Sequence, residues 1–280
     1  MIGTLAGLLN AVFGGLVGLI CLPFRPLGPW PAMIAVSLLT GLLMLFIFKK
    51  TSNQAGIRRA KDRIKAHLLE IRLYRADFGQ TMRSQGKMLL ANGRYVGHAL
   101  KPMLVMIVPI LLLLLQLDAW FGARALRPGE TAIVKVKLDK SVNPMAAEIV
   151  LEAPSGVVIE TPPLRIEEES EVDWRIKAGP EGRSEFKITA AGETWTKSLA
   201  VGGPSLSKIV PRRVRRHGLD ELSHPGEPVL AKTASVSAID VSYPAARMNF
   251  FGWRMHWLVA FFILSIVFGF GLKGVFKVEI

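Results

Sequence analysis

Three long apolar runs dominate the pattern of hydrophobic and polar positions along the chain. They cover residues 30–48, 102–120 and 255–272, and each contains at most one formally charged residue. About 18 or more apolar residues in a row are needed for a helix to cross roughly 30 Å of hydrocarbon. Inside hydrocarbon the backbone has to satisfy its own hydrogen bonds, so such runs are helical. The pattern predicts an α-helical membrane protein with three core spans, at 30–48, at 102–120 and within 254–280.

The first 29 residues are also apolar, but five glycines interrupt their first 22 positions. Leu5, Leu8, Val12 and Leu16 gather on one face of a helix. Such a helix either lies in the outer membrane interface or crosses as a fourth span, and a cleaved signal is a third alternative. The Pro-rich sequence FRPLGPWP then turns the chain into the first core span.

The segment 49–101 carries thirteen Lys or Arg residues against three Asp or Glu residues. Short loops rich in Lys and Arg remain in the cytoplasm. We therefore expect 49–101 and the C-terminus inside and 121–253 outside a bacterial cytoplasmic (inner) membrane. Ile57, Ile64 and Ile71 recur at the seven-residue spacing of a coiled coil. A second helix over 81–91, ending at a turn signal in Asn92-Gly93, would complete a cytoplasmic helical hairpin.

The charge of this hairpin has two interpretations. It can attract anionic lipid headgroups, or it can neutralise RNA phosphates such as those of a ribosome. The candidate contact residues are Arg58, Arg59, Lys61, Arg63, Lys65, Arg72 and Arg75.

Residues 121–202 change to short β-patterned runs, and 128–202 contains seven of them between Pro, Gly and Asn turn signals. This pattern predicts an inserted extracytoplasmic β-sandwich of immunoglobulin-like type, with Trp174 and Trp195 in its core. Residues 203–253 are expected to form an external linker that contains an arginine cluster at 212–216. One apolar stretch of this linker, 229–243, can add an extra strand.

Two segments resemble the YidC-type membrane protein insertase superfamily. WPAMIAVSLLTGLLMLFIFKKTSNQ (30–54) is similar to that family's first core span, and GRYVGHALKPMLVMIVPILLLLLQL (93–117) to its hairpin exit and second core span. The resemblance implies a groove, open to the cytoplasm, through which polar parts of client proteins enter the bilayer. It also implies nascent membrane proteins or the ribosome as partners. Family members with an external β-sandwich carry it before the first core span, whereas here it follows the second.

The bacterial insertases place an Arg before a Gly in the first core span, and this chain has Thr40-Gly41 there. The groove candidates are therefore hydroxyls: Ser37, Thr40 and Ser265. Their alternative is a structural role, since Ser and Thr in membrane helices bond to their own backbone or assist packing. The resemblance thus implies an insertase-like membrane chaperone with a polar groove. The alternative is a non-catalytic membrane scaffold whose β-sandwich at 128–202 binds a cell-envelope partner.

No sequence motif indicates an enzyme. Walker, Gly-x-Ser-x-Gly and His-Glu-x-x-His patterns are absent, and Cys21 is the only cysteine. We therefore expect no catalytic residue, no metal site and no cofactor. The pI near 10.1 would suit a DNA-binding protein, but the apolar runs favour the lipid bilayer as the partner of this charge.

Overall fold

The long helices of this computed structural model carry the three apolar runs and the basic segment. The structure describes residues 2–73, 78–216, 220–250 and 252–279. The helices are α1 (Ile2–Cys21), α2 (Pro29–Thr51), α3 (Gln54–Leu73), α4 (Phe78–Phe121), α5 (Asp220–Ser223) and α6 (Trp257–Leu272), with a short 3₁₀ helix at Leu22–Phe24 after α1.

Three helical segments in the described part of the chain are long and apolar enough to cross a membrane. They are Leu5–Phe24, Pro29–Thr51 and Met82–Phe121. The predicted third core span corresponds to α6, which is apolar but has only 16 residues. The N-terminal helix meets the length and composition test as well, so its two predicted placements both stay open. The chain is therefore built to associate with a membrane.

The chain divides into two compact units. One unit, here called the β unit, combines Met1–Met33 with Leu112–Ala260, and the other, called the helical unit, combines Ile34–Leu111 with Phe261–Ile280. Helix α4 contributes its last residues to the β unit and the rest to the helical unit.

Helix α4 differs from the predicted hairpin geometry. It runs without interruption through Asn92-Gly93, where a turn was expected, and through Pro102 and Pro109. Its 44 residues extend about 66 Å at about 1.5 Å per residue, roughly twice the ~30 Å of hydrocarbon. A turn signal is a local preference, and here the apolar pattern at helical spacing on both sides of Gly93 prevails over it.

Helix α3 buries the face that the seven-residue spacing predicted. Ile57 and Ala60 are buried and Ile64 is half-buried. Ile57 joins a small apolar core with Leu45, Phe48 and the C-terminal Val278.

The β unit contains antiparallel sheets. The strands are β1 (Thr131–Leu138), β2 (Ile149–Glu152), β3 (Val158–Ile159), β4 (Leu164–Ile166), β5 (Glu171–Lys177), β6 (Gly182–Ala190), β7 (Glu193–Val201), β8 (Arg212–Val214), β9 (Val236–Val241), β10 (Met248–Phe250) and β11 (Trp253–Met255). One sheet has the order β3-β5-β1-β9-β8 with β4 also paired to β5, a second has the order β2-β6-β7, and β10 pairs with β11.

The two larger sheets share one hydrophobic core. Val134, Trp174 and Ile239 from the first sheet and Phe186 and Leu199 from the second belong to the same buried cluster. Alternation along β1 sends every second residue inward, as its burial pattern shows. Of the two predicted core tryptophans, Trp174 is 3% exposed, and Trp195 is partly buried against the same cluster.

The segment 203–253 is not the linker that its sequence suggested. It contains β8, α5, β9 and β10, and β9 pairs with residues 134–138 of β1. Val236, Ile239 and Val241 of β9 are buried in the shared core, which gives this stretch a reason to return to the sheet. One extra strand was expected from 229–243, and β9 lies within that stretch. The Pro, Gly and Arg residues that precede it match the composition of a linker, so β8 and α5 were not predicted.

Candidate functional site

A cavity of about 470 Å³ opens between α2, α4 and α6 within the helical unit. We call this cavity the groove. Its walls are apolar, with three methionines and four phenylalanines among the lining residues: Met44, Met103, Met106, Phe48, Phe261, Phe262 and Phe270. Several of these side chains remain about half exposed, Met103 at 53% and Phe262 at 43%. The groove is therefore accessible along one side.

Close contact between α2 and α6 forms the closed side of the groove. A Cβ atom on Gly41 would lie 3.3 Å from the carbonyl oxygen of Ser265 and 3.4 Å from the backbone nitrogen of Gly269. Small residues allow membrane helices to approach at this distance. Gly269 itself has open space where its own Cβ would lie. Gly41 is therefore needed for close helix packing, whereas a Cβ atom at Gly269 would meet no neighbour.

The three predicted groove hydroxyls do not share one environment. Thr40 and Ser265 line the groove, but Ser37 does not. Ser37 is fully buried, and its hydroxyl oxygen has no hydrogen-bond partner within the described residues. The Ser265 hydroxyl is likewise buried without a partner. The lining thus differs from the expected polar groove, because hydroxyls contribute only at Thr40, Ser265 and Tyr95.

Sequence reasoning missed the apolar residues that form most of the groove. One signal was present in α4, where Val96, Met103 and Ile110 recur at seven-residue spacing and all line the cavity. That spacing places them on one face of a helix. The sequence alone does not show that α2 and α6 leave this face uncovered.

The predicted basic contact residues that the structure describes lie on α3 and differ in their exposure and ion pairs. Arg59, Arg63 and Lys65 are exposed. Arg58 Nη2 lies 3.2 Å and Lys61 Nζ lies 3.4 Å from the carboxylate of Glu279. Arg75 lies outside the described residues, and of Arg72 only the backbone is described, within α3.

The C-terminal residues form hydrogen bonds with the end of α2 and the start of α3. The backbone N–H of Glu279 donates to the Gln54 side-chain oxygen at 2.7 Å, and the Lys49 ammonium donates to the Phe276 carbonyl oxygen at 2.8 Å. Neighbouring cations lower the pKa of the Glu279 carboxyl, mainly through the hydrogen bond from Lys61.

The arginine cluster at 212–216 is engaged within the β unit. Arg212 lies 3.5 Å from Asp240, Arg215 lies 2.5 Å from Asp139, and Arg213 donates to the Pro228 carbonyl oxygen at 2.7 Å. Arg216 is the most exposed, with 61% of its side chain accessible and Glu221 3.9 Å away. The cluster therefore serves largely to hold β8 against its neighbours.

The described residues contain no group of three His, Cys, Asp or Glu side chains that could hold a metal ion. Comparison of the chain with protein-family models, with curated proteins and with solved structures gives no match.

Proposed function

We propose that this protein is an insertase-like membrane chaperone that holds an apolar segment of a client membrane protein in the groove. The observation that carries the proposal is the open, apolar cavity of about 470 Å³ between α2, α4 and α6. Methionine is flexible and polarisable, so a surface rich in it can repack around different apolar partners. Such a surface suits a chaperone that receives many client sequences.

We further propose that the helical unit is the part that resembles the YidC-type insertase superfamily. In this assignment α2, the apolar half of α4 and α6 are the core spans. The basic segment 49–101 then lies on the cytoplasmic side of a bacterial inner membrane, as the positive-inside rule predicts. The exposed Arg59, Arg63 and Lys65 are available there to lipid headgroups or to ribosomal RNA.

The β unit supports an immunoglobulin-like assignment for the external domain. If β1, β2, β3 with β4, β5, β6 and β7 are strands B to G, the sheets read D-E-B and C-F-G. Strand β9 then occupies the place of strand A beside β1. A strand that follows β7 in the chain thus occupies the position beside β1 that an N-terminal strand takes in that fold, and β8 extends the sheet beyond it.

The groove composition changes how we expect the protein to act. A polar half-channel would lower the cost of moving charged client groups through hydrocarbon. The span at 30–48 has no charge, and the lining of the groove is apolar. We therefore propose that the groove shelters an apolar helix before it is released to lipid. This activity requires binding and release without covalent chemistry.

Site-specific photocrosslinking tests the proposal, with neighbouring positions as matched controls. Met103 lines the groove and is 53% exposed, whereas the adjacent Leu104 is 58% exposed and does not line it. Phe262 and Ile263, at 43% and 52%, form a second such pair. We expect a photoreactive residue at Met103 or Phe262 to capture a ribosome-bound membrane client, and the same residue at Leu104 or Ile263 to capture mainly lipid.

Equal client adducts at both members of each pair would contradict binding in the groove. A complete absence of client adducts at Met103 and Phe262, with ribosome-bound clients present, would contradict the chaperone function itself.

A membrane scaffold remains the second candidate function, and one observation favours it. Val158 of β3 and Leu164 of β4 are 57% and 62% exposed on strands that both pair with β5 at the end of the larger sheet. Exposed apolar residues at a sheet edge suit the binding of an envelope partner. The double substitution Val158→Glu and Leu164→Glu should abolish recovery of such a partner while client crosslinks at Met103 persist. Recovery of the same partners by the substituted protein would eliminate this alternative.

A further inference from the structure

A second cavity, of about 640 Å³, lies within the β unit. We call it the polar chamber. It lies between α1, the end of α4 and the segment 208–229, and its polar lining includes Asn10, Gln116, Lys208, Arg216, Glu221 and Glu227. The chamber therefore combines both signs of charge beside a helix that is apolar enough to lie in a membrane.

Helix α1 turns a small and polar face toward the chamber. The Asn10 side-chain amide donates to the Glu221 backbone carbonyl oxygen at 2.5 Å and accepts from the Gln116 amide at 3.0 Å. A Cβ on Gly7 would lie 3.0 Å from Glu221 Oε1, and one on Gly14 would lie 3.0 Å from Gln116 Oε1. The glycines thus let the α1 backbone approach the polar wall closely.

The opposite face of α1 is apolar and uncovered. Leu8, Val12, Leu16 and Leu19 are between 49% and 71% exposed. Exposed large apolar residues on a helix of this hydropathy belong in contact with acyl chains. Helix α1 therefore separates a hydrocarbon-facing surface from a charged chamber, which is the boundary where a lipid headgroup lies.

Two carboxylates of the chamber each have a buried oxygen without a hydrogen-bond donor. They are Glu221 Oε2 and Glu227 Oε2. The other oxygen of Glu227 accepts from the Lys197 ammonium at 3.0 Å, and the nearest cation to Glu221 Oε2, Arg216 Nε, is 3.9 Å away. A buried acceptor without a donor costs free energy, so a cationic group beside these two carboxylates would be stabilising.

The chamber also contains a cation without an anion. Lys208 is half-buried, and no carboxylate of the described residues forms an ion pair with it. Burial lowers the pKa of the Lys208 ammonium, and the like charge of Arg183 lowers that pKa further. A bound anion would stabilise the charged form of this lysine.

We propose that the polar chamber binds the headgroup of an aminophospholipid such as phosphatidylethanolamine. Its primary ammonium would lie against the carboxylates of Glu221 and Glu227, and its phosphate would accept from Lys208 and Arg216. A choline headgroup has the same phosphate but no N–H to donate, and a glycerol headgroup has no cation. The site is independent of the groove, because it lies entirely within the β unit.

Native mass spectrometry of the full chain in detergent tests this assignment. Phosphatidylethanolamine, phosphatidylcholine and phosphatidylglycerol with identical acyl chains are added to the purified protein in turn. We expect phosphatidylethanolamine to bind at least about tenfold more tightly than the other two, consistent with charge-assisted hydrogen bonds to buried carboxylates. It should also raise the midpoint of thermal unfolding by about 2–4 °C.

Glu221→Gln is the informative variant, because it removes the charge and keeps the shape of the side chain. It should abolish the preference for phosphatidylethanolamine, and Lys208→Gln should weaken binding of both phosphatidylethanolamine and phosphatidylcholine. Glu185→Gln, at an exposed position of β6 away from the chamber, is the matched control and should change nothing. Far-UV circular dichroism verifies that each variant is folded.

Soluble glycerophosphoethanolamine separates the headgroup from its lipid source. Competition by this compound at millimolar concentration supports recognition of the headgroup, and its failure to compete when the lipid binds indicates that the acyl chains are required as well. Equal binding of the three lipids, or a preference for phosphatidylethanolamine that survives in Glu221→Gln, would overturn the proposal.

Discussion

The groove and the polar chamber differ in the chemistry of their walls. The groove of the helical unit is lined by methionine, phenylalanine and aliphatic side chains, while the polar chamber of the β unit is lined by amides, carboxylates and cations. An apolar wall selects by size and hydrophobicity and accommodates many partners. A wall of buried polar groups rejects any partner that leaves those groups unpaired.

This difference would allow one chain to combine two kinds of recognition, a general one in the apolar groove and a specific one in the polar chamber. In the proposed function, the groove would accept clients of varied sequence because apolar contacts have no directional requirement. The chamber needs a fixed arrangement of charges, and its walls are held in place by ion pairs and hydrogen bonds. Substitutions in the chamber wall should therefore be more damaging than substitutions in the groove.

The largest expected effect comes from breaking the ion pair behind the chamber wall. Lys197 is fully buried, and its ammonium lies 3.0 Å from Glu227 and donates to the Val210 carbonyl oxygen at 2.5 Å. Glu227→Ala leaves that ammonium buried without its counter-charge, which costs about 3–5 kcal/mol. The unfolding midpoint of the β unit should then fall by about 10 °C. Tryptophan fluorescence measures it selectively, since all six tryptophans belong to this unit.

The double substitution Lys197→Met and Glu227→Leu is the control for this prediction. It removes both charges together, so it should recover most of the lost stability. If Glu227→Ala unfolds at the wild-type temperature, the chamber wall does not depend on this pair.

A smaller effect is expected from a matched pair of glycine substitutions at the groove. Gly41→Leu places a side chain against the backbone of α6, and overpacking of this kind costs about 1–3 kcal/mol. Gly269→Leu extends into open space of the groove. We expect Gly41→Leu to lower the thermal midpoint measured by far-UV circular dichroism. Gly269→Leu should leave the midpoint unchanged and reduce client crosslinking at Met103.

The reverse outcome would be informative as well. A loss of stability in Gly269→Leu with no change in Gly41→Leu would mean that the closed side of the groove lies elsewhere than between α2 and α6.

The apolar helices and the β region could be predicted from the sequence, for physical reasons. Hydrocarbon imposes length and apolarity on a helix, so the apolar helical segments at 30–48 and 102–120 were recognisable without a structure. Alternation in strands such as β1 and the turn residues between strands revealed the β region. The buried position of Trp174 followed from its place in an alternating run.

The remaining features depend on contacts between segments distant in sequence. The groove arises because α2, α4 and α6 leave a gap, and no local pattern of Met44 or Phe262 records that gap. Asn10 is a polar residue in an apolar helix, and no local pattern indicates its bond to Gln116, more than 100 positions away. The expected turn at Asn92-Gly93 was wrong because the apolar pattern at helical spacing on both sides outweighs the turn preference of this dipeptide.

Acid should affect the β unit through carboxylates that cations and hydrogen-bond donors stabilise. The Arg124 guanidinium donates to both oxygens of Glu130, at 2.8 and 2.7 Å, and lowers the pKa of that carboxyl to about 2. A folded pKa below the unfolded value of about 4.3 adds stability above pH ~4.3 that disappears as the pH falls toward ~2. Both side chains are about a third exposed, so we expect a contribution of at most about 1 kcal/mol.

Glu130→Gln isolates this contribution. The variant should unfold at a lower temperature than the wild type at pH 7, and the two tryptophan-fluorescence midpoints should converge as the pH approaches 2. A difference between them that is constant from pH 7 to pH 2 would show that the carboxylate charge has no part in the effect.

The smallest expected effect concerns the C-terminal tail of the helical unit. Its ion pairs are exposed, in contrast to the buried pair Lys197–Glu227 of the chamber wall. Glu279 lies 3.2 Å from Arg58 and 3.4 Å from Lys61, and the Arg58 side chain is 70% exposed. Exposed ion pairs contribute about 0–1 kcal/mol and weaken with salt. Glu279→Gln should therefore leave the thermal midpoint of the protein almost unchanged, while limited proteolysis after Lys273 or Lys277 becomes faster at low salt.

Val278→Ala is the matched substitution, because Val278 packs in the apolar core with Ile57. It should accelerate the same cleavage at low and high salt alike, since the hydrophobic contact that it removes is not screened by ions. If the two variants respond to salt identically, the tail is held by the apolar contact alone and the charges of α3 remain available for other partners.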